Sequence, residues 1–330
     1  MNKEITSPVL LLAFNRPEKT KEVFECIRRA KPHKLYVAVD APRINNPDDV
    51  ERCNKVKEIV KNVDWPCETH YLFHEQNKGC ALAGKTAWDW LFENEDDMIF
   101  MEDDGVVSDT FFEFCQELLD KYRDDDRIAY IGGVNFGLKY GSASYFFTRY
   151  SVSTYGMATW KRVYKLYDFT LSTWPETIKT EDFKNQFLSK FERDKFTASF
   201  QRYWSDIQDR VKRTTYDLQM NYLVCKYHKW CIYPNVNLVT NIGFDVDGTN
   251  TAMSKDSKEA LTHIRPRFEV SEMIHPQDVL IDWDFEKKMF RQRLLHDHPY
   301  WREYLRFYLK IDRLKCYIKK YAVKFGLKQK

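Results

Sequence analysis

The chain has 330 residues, 43% hydrophobic and 31% charged, enough to bury one large core or two modest ones. No stretch approaches the roughly 20 uncharged apolar residues of a membrane span, and the first residues run directly into an apolar segment, leaving no room for a signal peptide. The formal charge of +3 is divided: residues 299–330 hold ten Lys or Arg and two acids, a net of +8, which leaves 42 basic and 47 acidic residues elsewhere, a net of −5.

The basic residues are gathered on one terminal segment without a reading motif, so no nucleic-acid partner is expected. Eight cysteines lie scattered, without zinc-ligand spacing or a dense framework. That pattern fits free thiols in a reducing cytoplasm. An aromatic content of 16% suits stacking on sugars or bases, and equally a bulky core.

In chain order, the apolar run from Pro8 to Phe14 predicts a buried strand. Asn15-Arg16-Pro17 turns it into a helix over 19–30 with Val23, Cys26 and Ile27 on one face. Leu35 to Asp40 is the second strand, closed by Ala41-Pro42-Arg43, and 48–63 is the next helix. A third strand over 69–73 leads through Asn77-Lys78-Gly79 into a helix over 80–94. Strands alternating with helices predict a doubly wound, mostly parallel α/β sheet. Right-handed crossovers then set Phe14, Asp40, Asn77 and Asp104 along one edge of it.

The fourth strand, Met98-Ile99-Phe100-Met101, runs into Glu102-Asp103-Asp104-Gly105. Acids at the carboxyl end of such a strand sit where open α/β sheets bind ligands. Three adjacent negative charges repel one another, and a divalent cation with oxygen ligands is the simplest offset. A solvated acidic turn is the plainer alternative.

Past a helix over 109–122 the pattern changes. Strands are expected over 128–132 and 144–149, and Thr154 to Trp160 reads as a compact turn of aromatic and small residues. Residues 180–211 are polar and helical, and a helix over 216–227 carries Leu218, Tyr222 and Cys225 on one face. A short strand over 230–233 precedes an Asn-, Asp- and Gly-rich loop over 235–251, which suits a ligand-facing segment. Trp301, Tyr304, Leu305, Tyr308, Ile311, Leu314, Ile318, Tyr321 and Phe325 recur at helical spacing among Lys and Arg. Such a basic amphipathic helix either lies on an anionic membrane surface or packs on its own domain.

Several of these stretches, in this order, resemble bacterial nucleotide-diphospho-sugar glycosyltransferases of the GT-A fold. They are Phe14-Asn15-Arg16-Pro17, Val39-Asp40, Asn77-Lys78-Gly79-Cys80 and Glu102-Asp103-Asp104, followed by Tyr155 to Trp160, Tyr216-Asp217-Leu218-Gln219 and Pro234 to Phe244. The acidic triplet is more distantly similar to that of N-acetylglucosaminyltransferase I. The resemblance covers residues 7–280, and it implies a nucleotide-binding half over 1–132, an acceptor-binding half over 133–280 and a helical extension over 281–330.

The resemblance implies roles. Asp104 would hold Mn²⁺ or Mg²⁺, while Asp103 and Glu102 brace the ribose or sugar. Phe14, Asn15, Arg16, Asp40, Lys78 and Gly79 would line the donor site. Among them Asp40 takes the base, Arg16 a phosphate or the base, and the helix start at Lys78 and Gly79 an anion. Asp217 would be the general base that deprotonates the attacking hydroxyl, with Asp206 and Asp209 as neighbouring candidates. Tyr155, Trp160, Asn241 and Phe244 would meet the acceptor, and His275 would complete the metal's ligands, with His263 a weaker choice. The chain departs from the family at Tyr155 and Met157, which stand where it has tryptophans in Trp-Gly-Trp-Ala-Thr-Trp. It departs again at Tyr216 and Met220, in place of the tryptophans of Trp-Asp-Tyr-Gln-Trp.

The implied activity is a metal-dependent, inverting transfer from a nucleotide-diphospho-sugar to a glycan or lipid-linked saccharide. Its implied setting is cell-surface polysaccharide or lipopolysaccharide synthesis, in the cytoplasm against the inner membrane. A non-catalytic glycan- or nucleotide-binding relative is the alternative. A sugar nucleotidyltransferase is less favoured, because Ala13 to Pro17 lacks the glycine-rich first turn of those enzymes.

Overall fold

The structure is a computed structural model, and it describes residues 3–136, 138, 141–208, 215–243, 273–291 and 299–309. The chain divides into two compact units, Met1–Trp283 and Asp284–Lys330.

The first unit begins with the expected alternation: β1 (Val9–Ala13), α1 (Pro17–Ala30), β2 (Lys34–Val39), α2 (Pro47–Lys61), β3 (Glu68–Phe73), α3 (Gly79–Asn94) and β4 (Asp97–Glu102). Pro17 at the start of α1 and Pro47 at the start of α2 need no amide partner there, and Asn46 caps α2 by accepting from the Asp49 amide. The chain continues through β5 (Gly105–Val107), α4 (Phe111–Lys121), β6 (Ile128–Gly132), β7 (Tyr145–Thr148) and β8 (Gly156–Trp160). Next come α5 (Lys161–Tyr164), α6 (Trp174–Thr177), α7 (Glu181–Asn185), α8 (Lys190–Gln208), α9 (Leu218–Lys226), β9 (Trp230–Pro234) and β10 (Val239–Asn241). Two helices follow, α10 (Trp283–Met289) and α11 (Tyr300–Tyr308).

Eight strands form one sheet in the order β3-β2-β1-β4-β8-β6-β9-β7. The first four are parallel, and β1 and β4 are buried along their length up to Glu102, as their unbroken apolar runs require. The fold is therefore the expected mixed α/β sheet flanked by helices.

One expectation fails here: residues 156–160 are not a turn but a central strand. β8 runs antiparallel between β4 and β6, pairing Asp97 with Trp160 and Met101 with Gly156. Gly, Ala and Thr break the hydrophobic periodicity, yet small residues suit a strand with both faces covered. The Asn-rich loop likewise contains β10, which pairs antiparallel with β5 as a two-stranded ribbon beside the main sheet.

A separate aromatic cluster holds α6, α7, α8 and α9 together. Trp174, Phe183, Phe200 and Tyr222 meet at centroid distances of 5.3 to 6.5 Å, and Leu218 and Cys225 of the expected apolar face pack with them. In the second unit, α11 exposes Trp301, and Leu309 just after it is exposed as well, while Tyr300, Tyr304 and Tyr308 follow one another along the helix. Among the described residues no helix is long and apolar enough to cross a membrane.

Candidate active site

β1 and β4 are neighbours, so the chain leaves both at the same end of the sheet. There the Asp103 amide donates to Leu12 O at 3.0 Å, and the Phe14 amide donates to Asp103 Oδ2 at 3.2 Å. Glu102 is the last residue of β4, Asp103 and Asp104 form the turn, and Gly105 opens β5. Asp103 and Asp104 are 2% and 7% exposed, far from the solvated turn that was the plainer alternative.

The turn is pinned from the other side by β10. The Ile242 amide donates to Asp104 O at 2.8 Å, and the Gly243 amide donates to Asn241 Oδ1 at 2.6 Å. A Cβ on Gly243 would collide with Asp104 Oδ2, and one on Gly105 with the carbonyl of Tyr155. Both positions need glycine for close approach rather than for backbone freedom.

Arg16 is the counter-charge. Its Nη1 donates to Asp104 Oδ2 at 2.8 Å, and its Nη2 donates to Asp103 Oδ1. One guanidinium thus faces three carboxyl groups. Asp104 Oδ1 is buried and has no hydrogen-bond partner among the described residues. Burial, with Asp103 adding to it and Arg16 opposing, raises the Asp104 pKa. Burial and the Asp104 charge push Glu102 up to about 7, against donation from Thr154 and Tyr216. The Tyr216 hydroxyl donates to Glu102 Oε1, and its ring packs edge-on to Trp88 and Phe100 at 5.4 and 6.2 Å. Glu102 is half-buried and Cys80 is exposed to solvent.

Asp217 belongs to the same region. The Cys80 thiol is pushed up to about 12, first by burial and then by the charges of Glu102, Asp217 and Asp104. Asp217 precedes α9 and accepts from Thr215 Oγ1. Tyr155, half-buried, follows Thr154 beside Glu102, and Asn241 pairs in register with Gly105. The structure therefore gathers Phe14, Arg16, Glu102, Asp103, Asp104, Tyr155, Asp217 and Asn241 at one sheet end. Phe244, Asp209 and His263 lie outside the described residues. Asp206 pairs loosely with Arg202 at 3.9 Å.

Other expected residues have different work. Asp40 accepts from the Ala41 and Lys78 amides on Oδ1, both at 2.9 Å, and from Asn77 Nδ2 and the Gly79 amide on Oδ2, at 3.1 and 3.0 Å. Four donors fill the acceptor capacity of a carboxylate, so here Asp40 fastens the start of α3 rather than offering a lone pair to a base. The Lys78 and Gly79 amides, expected to face a bound anion, are spent on Asp40. Asn15 donates to Asp49 Oδ1 at 2.7 Å, within a buried knot that also takes Arg43. Arg43 lies over the Phe14 ring at 5.6 Å.

Two expectations are corrected outright. Trp160 is 2% exposed, donates to Leu119 O at 3.2 Å and carries Arg162 over its ring at 4.3 Å. It pairs with Asp97 at the opposite end of β4, about 17 Å from Glu102 at strand rise, so it is core and does not stack on an acceptor. His275 accepts from or donates to Tyr145 Oη at 2.9 Å on β7, four strands from β4. At normal strand spacing that is roughly 19 Å, too far to share an ion with Asp104.

Sequence reasoning gave no role to Cys80, Thr154 or the hydroxyl of Tyr216, although Cys80 and Tyr216 stand within stretches that carry the resemblance.

The residues present fit a divalent cation. Hard oxygen donors converge at a buried turn, one carboxylate oxygen lacks a partner among the described residues, and the Arg16 guanidinium opposite, with the Lys19 charge nearby, offsets the acids only in part. Among the described residues no group of three His, Cys, Asp or Glu side chains is placed to hold a metal ion.

No protein-family model and no curated protein matches the chain. Among solved structures it is similar to the mannosyltransferase PcManGT from Pyrobaculum calidifontis in complex with GDP-Man and Mn²⁺, at 12% identity and a TM-score of 0.33, over 49% of this chain and 46% of that one. It thus spans under half the length of that mannosyltransferase. It is also similar to a UDP-glucose pyrophosphorylase complexed with UDP-glucose, at 10% identity and a TM-score of 0.32, over 60% of this chain and 88% of that one. A third similarity is to HddC from Yersinia pseudotuberculosis, at 10% identity and a TM-score of 0.31, over 52% and 86%. Likenesses of this size leave the activity to be argued from the side chains.

Proposed function

We propose that the protein is a metal-dependent glycosyltransferase that moves a sugar, with inversion, from a nucleotide-diphospho-sugar to a glycan or lipid-linked saccharide. The observation that carries this reading is the buried acidic turn after β4, with Asp104 Oδ1 unpartnered and Arg16 opposite. Asp104 would hold Mn²⁺ or Mg²⁺, aided by Glu102 or Asp103. When bound, the cation neutralises charge on the departing nucleoside diphosphate.

The chain's own residues divide the remaining tasks. Phe14 and Arg16, on the turn after β1, line the donor's side of the crevice, and residues 1–132 form the nucleotide-binding half. Residues 133–280 supply the acceptor side, with Tyr155 and Asn241 at its edge. Asp217 takes the proton of the acceptor hydroxyl as that oxygen bonds to the anomeric carbon and the diphosphate leaves. Tyr216, the residue before it, steadies Glu102 by donating its hydroxyl. A sugar nucleotidyltransferase is disfavoured by the glycine-free turn from Ala13 to Pro17.

Residues 299–330, with their net of +8, the exposed Trp301 of α11 and the exposed Leu309 that follows it, hold the protein against an anionic membrane surface. The setting is the cytoplasmic face of the inner membrane, in polysaccharide or lipopolysaccharide assembly. The deciding experiment is nucleotide release from UDP, GDP, CMP and dTDP sugars with and without Mn²⁺. Metal-dependent release from one donor, lost in Asp104→Ala, supports the reading. No release and no metal-dependent thermal shift with any nucleotide overturns it, leaving a binding relative of the same fold.

A further inference from the structure

The backbone at Arg16 is fixed. Its carbonyl accepts from the Thr20 amide at 2.8 Å and from Thr20 Oγ1 at 2.9 Å, inside the first turn of α1. Its side chain, 18% exposed, caps nothing in that helix and instead spans Asp103 and Asp104. A guanidinium stays charged at any working pH, so its charge leaves the acids only if the side chain moves. It engages Asp104 Oδ2 while Oδ1 of the same buried carboxylate stays bare. A carboxylate that is 7% exposed does not stably keep a bare oxygen unless another partner arrives.

We infer, resting on the cation site proposed above, that Arg16 is a placeholder counter-ion, neutralising the acidic turn in the empty protein and yielding Asp104 when a divalent cation enters. The fork released from the acids then has the geometry to take phosphate oxygens of the donor. Cation and guanidinium compete for one carboxylate, and the diphosphate relieves the competition by drawing the guanidinium to itself. Metal and nucleotide therefore help each other to bind, by the same factor in either order.

Mn²⁺ alone, titrated by electron paramagnetic resonance into nucleotide-free protein, tests the placement. Arg16→Ala removes the competitor and is expected to bind Mn²⁺ roughly tenfold tighter than wild type, the worth of a charge-assisted bond. Arg16→Lys, which keeps a charge but not the fork, falls between them, and Asp104→Asn binds no Mn²⁺. Metal-free Arg16→Ala also melts below wild type and gains more from added Mn²⁺. Where Arg16→Ala fails to fold without metal, the Arg16→Lys affinity decides. Unchanged or weaker Mn²⁺ binding in the Arg16 variants overturns the placeholder and leaves the transferase reading standing, provided the wild type turns over a nucleotide sugar. Absence of Mn²⁺ binding in every protein overturns both the placeholder and the cation site.

Discussion

Replacing Asp104 by Asn separates the stability of the acidic turn from its chemistry. The shape is kept and the charge removed. In the folded chain burial and Asp103 outweigh Arg16 and raise the Asp104 pKa, so at neutral pH the fold carries this carboxylate at a cost. Converting the Arg16 bond from charge-assisted to neutral gives up about 1 kcal/mol. Relief of desolvation and of repulsion from Asp103 offsets it. The net change in unfolding free energy is therefore within about 1 kcal/mol, in either direction. The loss in activity is much larger, because a cation's stabilisation of transition-state charge is worth several kcal/mol. At 1.36 kcal/mol per tenfold, about 4 kcal/mol corresponds to a thousandfold drop in metal-dependent nucleotide release. Urea unfolding in chelator-treated buffer gives the first quantity and Mn²⁺-dependent release from the active donor gives the second. A variant that unfolds more easily by 3 kcal/mol or more, or that keeps turnover within about threefold, refutes the assignment.

Three further outcomes follow from the same geometry. Glu102 has its pKa raised from 4.5 to about 7, so its stabilising contribution is complete below about 4.5 and is lost as pH rises through 7. Relative to Glu102→Gln, metal-free wild type should lose about 1–2 kcal/mol between pH 5 and 8, allowing for the side chain's solvent contact; a constant difference across that window tells against it. Gly243→Ala puts a methyl group onto Asp104 Oδ2 and should cost about 1–3 kcal/mol while abolishing Mn²⁺ binding, which calorimetry would detect. Trp160→Ala should cost about 3–5 kcal/mol in denaturant titration, whereas Tyr155→Ala should cost under about 1 kcal/mol and act instead on the acceptor's KM; equal effects of the two on stability would put Tyr155 in the core as well.

The first half of the fold was legible because the inner strands β1, β2 and β4 are largely apolar runs ended by turn chemistry. The acidic turn was legible for the same reason, since a run such as Met98 to Met101 marks where a buried strand ends. β8 was not. Its Gly-Met-Ala-Thr-Trp sequence carries no alternation, and its place between β4 and β6 depends on partners more than 20 residues away. Asp40 and Trp160 show the limit for single side chains. Sequence set Asp40 at the correct sheet edge, but four local donors outcompete a ligand there, and the register that sends Trp160 to the far end is a property of pairing. His275 carried no pattern at all and was proposed by analogy alone.

The acidic turn lies between two stretches made at very different times. Gly105 is clamped by Asn241, 136 residues later in the chain, and at roughly 5–20 residues per second that is about 7–27 seconds of synthesis. Until β10 emerges, nothing holds Asp104 against the Ile242 amide, and β4 lacks β8 along its second edge for the first 55 residues of that interval, from Gly105 to Trp160. On the reading proposed above, a nascent chain would hold a divalent cation poorly while the turn lacks its clamp, and binding competence would come late in folding. A fragment ending before residue 239 should behave as a metal-indifferent sheet, however native its first four strands.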